Sequence, residues 1–345
     1  MNLKKLSVIN DFPKYSVHFL SVGDADAIFL TYQANAEAHK YVILVDAGNV
    51  SDSGTIKSYL LSHFGTNVID LAVCTHPDKD HKGGFFDLIQ DKEIVIQRFW
   101  IKNPVEAISS FDFARMKRSD SKEEACLRIF NHPNPDNPLN LIRLAEEKHI
   151  FQPRIRQGVR FEEVPFWVIG PSEELYHEAA LGMVSEFAEL VEDPNLAKYN
   201  ELEEVDEDSA KSVINEKKEE SFTNMSSLVL FFRPTDKFSI ILAGDASCAS
   251  LVEIERIYGN DIDGSVLKVP HHGSKRNMNT DLIDNLHPRA SVISAAGNEK
   301  HPNSNLVYYL SKYGNVYSTH KTRNLYYTNE EKITNPAQPL KSKIK

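Results

Sequence analysis

Apolar and polar positions along the first hundred residues follow the two periods that strands and helices require. Residues 15–32 and 40–47 alternate or run apolar, which predicts a first pair of strands interrupted by a loop at 23–26. Residues 55–64 carry helical spacing, and Gly65 supplies the stop. The run Ile69-Asp70-Leu71-Ala72-Val73-Cys74 reads as a buried strand, followed by a helix over about 84–90 and another strand near 95–101. Such βαβ alternation predicts sheets with helices packed on their outer faces.

The pattern loosens from about 103 to 222. Residues 121–130 and 139–148 read as helices around the Pro/Asn-rich turn Asn131-His132-Pro133-Asn134-Pro135. Phe166-Trp167-Val168-Ile169 reads as a core strand that exits at Gly170-Pro171, and 173–195 reads as helical. Residues 201–220 are rich in Glu, Asp and Lys with no apolar stripe, which predicts a mobile loop or a solvated helix. The 103–222 region is thus expected to be a variable, partly helical, acidic insertion in one domain spanning 1–345. After residue 224 apolar strands resume, and the basic stretch 329–345 is expected to be loosely ordered.

A chain that is 41% apolar and 26% charged has ample core material, and no apolar run approaches the roughly 20 residues of a membrane helix. The early lysines precede an apolar segment that is too short for a signal peptide and is cut by Asp11. Three cysteines at unpaired spacing fit reduced thiols, so the expected location is cytoplasmic. Cys74 reads as a buried small apolar residue. Net charge is −10, which argues against general adhesion to nucleic acid. Residues 263–345 nevertheless carry a net +6, leaving −16 for the rest. Lys268, Lys275, Arg276, Lys321 and Arg323 lie in this quarter, a local field that suits a phosphate-bearing substrate.

The chemistry concentrates in Thr75-His76-Pro77-Asp78-Lys79-Asp80-His81-Lys82-Gly83-Gly84. Four metal-capable side chains fall within six positions, directly after a buried strand. Imidazole and carboxylate are the ligands of borderline and hard divalent cations. A lone His-x-Asp is an ordinary solvated turn, but four such positions backed by Gly-Gly are not. Two more apolar runs end in the same residue types: 239–243 in Gly244-Asp245, and 266–269 in Pro270-His271-His272. Three strands that end in ligand residues can build one site at a sheet edge.

His76-x-Asp78-x-Asp80-His81 resembles the metal motif of the metallo-β-lactamase superfamily, in the variant with Asp at the third position. Several segments resemble the ComEC-like branch: Gly23-Asp24-Ala25-Asp26, Asp46-Ala47-Gly48, Asn224-Met225-Ser226-Ser227, Leu242-Ala243-Gly244-Asp245, Lys268-Val269-Pro270-His271-His272-Gly273-Ser274, and Ser294-Ala295-Ala296-Gly297-Asn298 followed by His301-Pro302. The resemblance implies a four-layer αββα sandwich. It also implies one or two divalent ions, Zn2+ or Mn2+, with His76 and Asp78 serving one, Asp80 and His81 the other, and Asp245 bridging. One of His271 and His272 completes the second; His271 is preferred because it follows the strand directly. Most relatives carry a further histidine for the first ion. Here His132, His149 and His177 lie in variable stretches and Asn224-Met225-Ser226-Ser227 stands instead, which adds oxygen character and admits manganese. Asp24 is a further departure, where the family usually has Gln. Asp46 is expected to be a structural anchor, His18 a strand residue, and Thr319-His320 a strand end.

Such a centre implies a metal-activated hydroxide aimed at an electrophile, with Asp80 orienting it and His272, His301 and Lys275 available to the leaving group. The expected activity is a phosphodiesterase or nuclease acting on DNA, RNA or a nucleotide, without a membrane partner. The alternatives are hydrolysis of a small lactam, thioester, lactone or phosphoester, and a metal-stabilised binding module without turnover.

Overall fold

Successive side chains of the Tyr41–Ala47 strand point to opposite sides of their sheet, and this alternation generates the layering. Ile43 and Val45 join an inner apolar cluster with Val17 and Leu30, packed against Leu230, Ile240 and Val292 of a second sheet. Val42 and Leu44 face the other way, into a cluster that contains the helical residues Ile56, Phe85 and Ile142. A third cluster packs Ile241, Leu267 and Ile293 of the second sheet against Leu251, Ile283 and Leu310 of other helices. The order is therefore helix, sheet, sheet, helix: the α/β, αββα sandwich implied by the resemblance. The computed structural model describes residues 13–108, 137–186, 204–216, 220–295, 297, 301–319, 324–330, 337–340 and 343–344.

The first sheet runs Leu325–Thr328, Lys14–Phe19, Ala27–Gln33, Tyr41–Ala47, Leu71–Val73, Phe99–Trp100, and its last three strands are mutually parallel. In the second sheet the order is Asn315–Ser318, Ala290–Ile293, Val266–Lys268, Phe238–Leu242, Val229–Thr235, Phe166–Gly170, Arg160–Phe161. Its first four strands are parallel to one another. Parallel strands place all their carboxyl ends along one rim, where ligand sites of open α/β sheets form. Gly83 and Gly84 let the 75–84 turn settle onto that rim. A Cβ at Gly84 would meet the Ala47 carbonyl oxygen at 2.2 Å, and one at Gly83 the Val50 nitrogen at 2.5 Å.

Several sequence expectations need correction. The 69–74 run is two strands, because Asp70 leaves the ladder between Val68–Ile69 and Leu71–Val73. Asp70 instead accepts the Val42 N–H at 2.8 Å and holds His39 at 2.7 Å. The acidic 201–220 stretch contains the Glu207–Asn215 helix, whose Ala210 and Ile214 are buried in the third cluster. The 103–222 region is not all elaboration, since Phe166–Gly170 is a wholly buried strand of the second sheet. In the tail, the Leu340 N–H donates to the Val316 carbonyl at 2.7 Å, and Lys343–Ile344 pairs in parallel with Glu204–Val205. The helix expected at 121–130, the turn containing His132, the end of the 173–195 helix, and His320, Lys321 and Arg323 lie outside the described residues. No helix among the described residues is long and apolar enough to cross a membrane.

Candidate metal centre

The Leu71–Val73 strand delivers its chain into the rim through Cys74, Thr75 and His76. Cys74 is fully buried, which pushes its thiol pKa up, and it donates to the His76 carbonyl. Asp78, extended at φ −73°, ψ 151°, opens the Lys79–Lys82 helix, and its carbonyl accepts the His81 and Lys82 N–H groups at 3.1 and 2.9 Å. That single turn sends the side chains of Asp80 and His81 toward the gap between the sheets.

Asp46, in the left-handed region at φ 56°, anchors the turn from the neighbouring strand. It accepts the Thr75 N–H at 2.7 Å and the Thr75 hydroxyl at 2.8 Å, and its Oδ2 lies 2.9 Å from His81 Nδ1. Because a carboxylate only accepts there, His81 Nδ1 donates to Asp46, which turns Nε2 into the gap, 3.3 Å from Asp245 Oδ1.

Asp245 follows the Phe238–Leu242 strand, and its N–H donates to Ser227 Oγ at 3.2 Å. After the Val266–Lys268 strand, His271, His272 and Gly273 all take positive φ, at 49°, 51° and 83°. Left-handed backbone costs a non-glycine residue roughly 1–2 kcal/mol. Its effect here is to turn His272 inward. The His272 side chain is 4% exposed and that of His271 is 28% exposed. His272 Nδ1 donates to the Ser294 carbonyl at 2.7 Å, and Nε2 hydrogen-bonds Asp80 Oδ2 at 3.2 Å and lies 3.9 Å from Asp245 Oδ2.

Two donor groups result, one of His76, His81 and Asp245 and another of Asp80, His81 and His272, the ligand atoms in each lying within 4.8 Å of one another. A third group, Asp26, Asp46 and His81, sits behind them. His76 Nε2, His81 Nε2 and Asp245 Oδ1 are buried without a hydrogen-bond partner. Buried polar atoms are otherwise almost always satisfied, so three orphans converging on one point describe a place for a cation. Electrostatics agree. Burial alone would lower the His272 pKa, but Asp245, Asp80 and Asp26 outweigh it and hold the imidazole at about 9. Burial likewise opposes the His81 charge, and Asp245 and Asp46 raise its pKa well above the ordinary value. A pocket that draws protons onto imidazoles has the negative potential that a divalent ion needs.

The other residues singled out by the sequence fall at graded distances. Asp78 Oδ2 is 3.5 Å from His76 Nε2, with 42% of its side chain exposed, and it joins neither donor group. His271 Nε2 is 3.9 Å from Asp245 Oδ2. His301 lies beside His271 with the rings tilted at 38° and centroids 5.3 Å apart, and burial, then His271 and His272, lower its pKa to about 4. Lys275 faces Glu216 at 3.8 Å rather than the donor groups. His149 and His177 are in none of the groups. His18 is buried and pairs with the Tyr59 hydroxyl. Thr319 is buried and accepts the Ala295 N–H.

Asn277 went unrecognised in the sequence, and Lys268, Asp26 and Asn224 take roles the sequence did not give them. Lys268 is wholly buried rather than part of a field for substrate: its ammonium contacts Asp26 and donates to the Gly244 carbonyl at 2.9 Å. Asp26 is equally buried. Asn277 donates to the Asp245 and Ala246 carbonyls at 3.1 Å, which orients its Oδ1 toward His271 Nδ1 at 3.2 Å. The Asn224 amide nitrogen reaches the same nitrogen at 3.1 Å. A charged residue inside the apolar run 266–269 was the available signal for Lys268.

No family model matches the chain. Over 100 residues it is 35% identical to ComE operon protein 3 of Bacillus subtilis (strain 168), a match covering 28% of this chain and 13% of that protein. The chain thus spans only a small part of the length of that relative. Among solved structures, it is similar to a mutant of the β-hydroxylase CmlA at TM-score 0.44 and 10% identity, over 90% of this chain and 53% of the other. A diphosphatase from the PhnP family is similar at TM-score 0.38 and 9% identity, over 92% and 99% of the two chains.

Proposed function

We propose that this chain is a metal-dependent hydrolase of the metallo-β-lactamase type that cleaves a phosphodiester, as a nuclease or nucleotide phosphodiesterase. The observation that carries the reading is the trio of buried, unpartnered donor atoms on His76, His81 and Asp245. Two imidazoles and a carboxylate suit Zn2+ and Mn2+ alike. A divalent ion held there supplies Lewis acidity and lowers the pKa of water toward neutrality.

Of the vicinal histidines we assign His272, not His271, to the donor set with Asp80 and His81, because its Nε2 faces inward and its Nδ1 is already used. His271 is then left at the mouth. Its Nδ1 lies 3.2 Å from Asn277 Oδ1 and 3.1 Å from Asn224 Nδ2, and its ring sits beside that of His301. We propose His271 and His301 as the groups that meet substrate or leaving group, while Lys275 is turned to Glu216. Asp245 presents Oδ1 to His81 and Oδ2 to both histidines, the arrangement that a bridging ligand needs. Asp78, half-exposed beside His76, is free to reorient toward an ion.

Phosphodiester rather than another bond is supported by the ComEC-like motifs and by the basic C-terminal quarter, in which Lys275 and the exposed Arg276 remain as accessible cations near the site.

The test is hydrolysis of single-stranded DNA, RNA, cyclic dinucleotides and bis(p-nitrophenyl) phosphate by purified protein with Mn2+ or Zn2+. The expected result is phosphodiester cleavage that disappears in Asp80→Ala/His81→Ala. Cleavage that survives the double substitution would overturn this site. Turnover confined to lactam or thioester substrates would transfer the site to the second reading, and metal uptake with no turnover would leave a binding module.

A further inference from the structure

Three carboxylates, Asp26, Asp46 and Asp245, are buried at the rim, and each needs positive charge or donated hydrogen bonds. Asp46 is satisfied by the Thr75 N–H and hydroxyl and by His81 Nδ1. Asp26 accepts no comparable set. Its neighbour is the Lys268 ammonium, which also stands 3.8 Å from Asp245 Oδ1. Lys268 is fully enclosed and occupies the middle of the second sheet, between the Phe238–Leu242 and Ala290–Ile293 strands. A lysine there exposes nothing to substrate and breaks an apolar strand, so its position demands a role within the protein.

We infer that the Lys268 ammonium stands in for a cation at the inner group of Asp26, Asp46 and His81, confining metal to the two groups that face the gap. Two observations support this. The inner group brings His81 Nδ1 to 2.9 Å from Asp46 and 3.6 Å from Asp26, close enough for its donor atoms to attract a cation. Asp26, the remaining carboxylate, already has its counter-ion. The lysine is therefore a positioning residue. It holds Asp26 and one oxygen of Asp245 in place, while Asp26 in turn gives its N–H to the Asp80 carbonyl at 3.1 Å. A tethered ammonium cannot exchange with solvent, which makes the inner charge permanent and the outer ions the exchangeable ones. The inference deepens the metal-centre reading, but its readout is separate.

Ion content per chain, measured by elemental analysis after loading with Mn2+ and desalting, is compared across four proteins alongside thermal unfolding. Lys268→Ala removes the charge and leaves room, and should bind one more ion than the parent, with a melting temperature that rises on Mn2+ addition beyond the parental shift. Lys268→Met fills the space without charge and should gain no ion. Lys268→Ala/Asp26→Asn removes both members of the pair and should fold without the extra ion. Equal ion content in the parent and Lys268→Ala would overturn the inference. So would failure of Lys268→Ala to fold at any Mn2+ concentration while the double variant folds, and failure of both would assign Lys268 to packing. A parent that takes up no ion beside a Lys268→Ala variant that takes up one would sink the metal-centre reading and leave this one standing.

Discussion

Glu220 lies against the first turn of the Cys248–Ile262 helix and accepts the Cys248 N–H on Oε1 at 3.1 Å. A helix N-terminus favours a carboxylate, yet burial outweighs that hydrogen bond and pushes the Glu220 pKa from 4.5 up to about 7. Between those two values the folded protein holds a proton that the unfolded chain has lost, so stability falls as pH rises from about 4.5 to 7 and the loss is complete above 7. Glu220→Gln keeps the accepting oxygen and removes the charge. It should melt higher than the parent at pH 8 and match it at pH 4, a difference read by thermal unfolding at the two values. Legibility at this scale depended on whether residue type alone carried the answer. His76, Asp80 and His81 were readable because ligand types crowded one turn behind a strand. The choice between His271 and His272 was not, since it depends on a left-handed turn that no side chain advertises. Lys268 was misread for the same reason: a lysine is a surface residue unless something enclosed needs its charge, and Asp26 is 242 positions away in the chain.

The Glu207–Asn215 helix carries only two deeply buried apolar side chains, Ala210 and Ile214, one turn apart. That is too thin a stripe to stand out among acidic neighbours, so the sequence predicts a mobile loop or a solvated helix there. Packing supplies the rest. Ile214 enters the cluster beneath the second sheet, and Asn215 exchanges hydrogen bonds with Thr280 at 2.9 to 3.0 Å, tying this helix to the start of Thr280–Leu286. Ile214→Ala should destabilise the protein by about 2–4 kcal/mol, through lost transfer energy and the cavity left behind, as measured by denaturant unfolding. The mixed strand-and-helix order elsewhere was legible because its periods were long and clean. Asp70 was the exception within an apolar run, and its carboxylate, not its hydropathy, decided where the strand broke.

Across the whole molecule, the donor set joins the two sheets. His76, Asp80 and His81 follow a strand of the first sheet, and Asp245 and His272 follow strands of the second. An ion held by both, as proposed above, would clamp the two sheets together. Mn2+ at a hundred times its Kd should stabilise the folded state by about 2.7 kcal/mol. Thermal unfolding with and without chelator checks this, and the increment should vanish in Asp80→Ala/His81→Ala. The αββα layering was legible from motif order, whereas the clamp was not, because sheet membership emerges only from pairing.

The Leu325–Thr328 strand lies antiparallel along Lys14–Phe19, so a segment far along the chain is zipped onto one translated well before it. While a ribosome is still making the middle of this polypeptide, the outer border of the first sheet has a bare row of amides and carbonyls with no neighbour. Such a border invites pairing with other nascent chains. A premature stop upstream of residue 325 would accordingly yield aggregates rather than a partially working product.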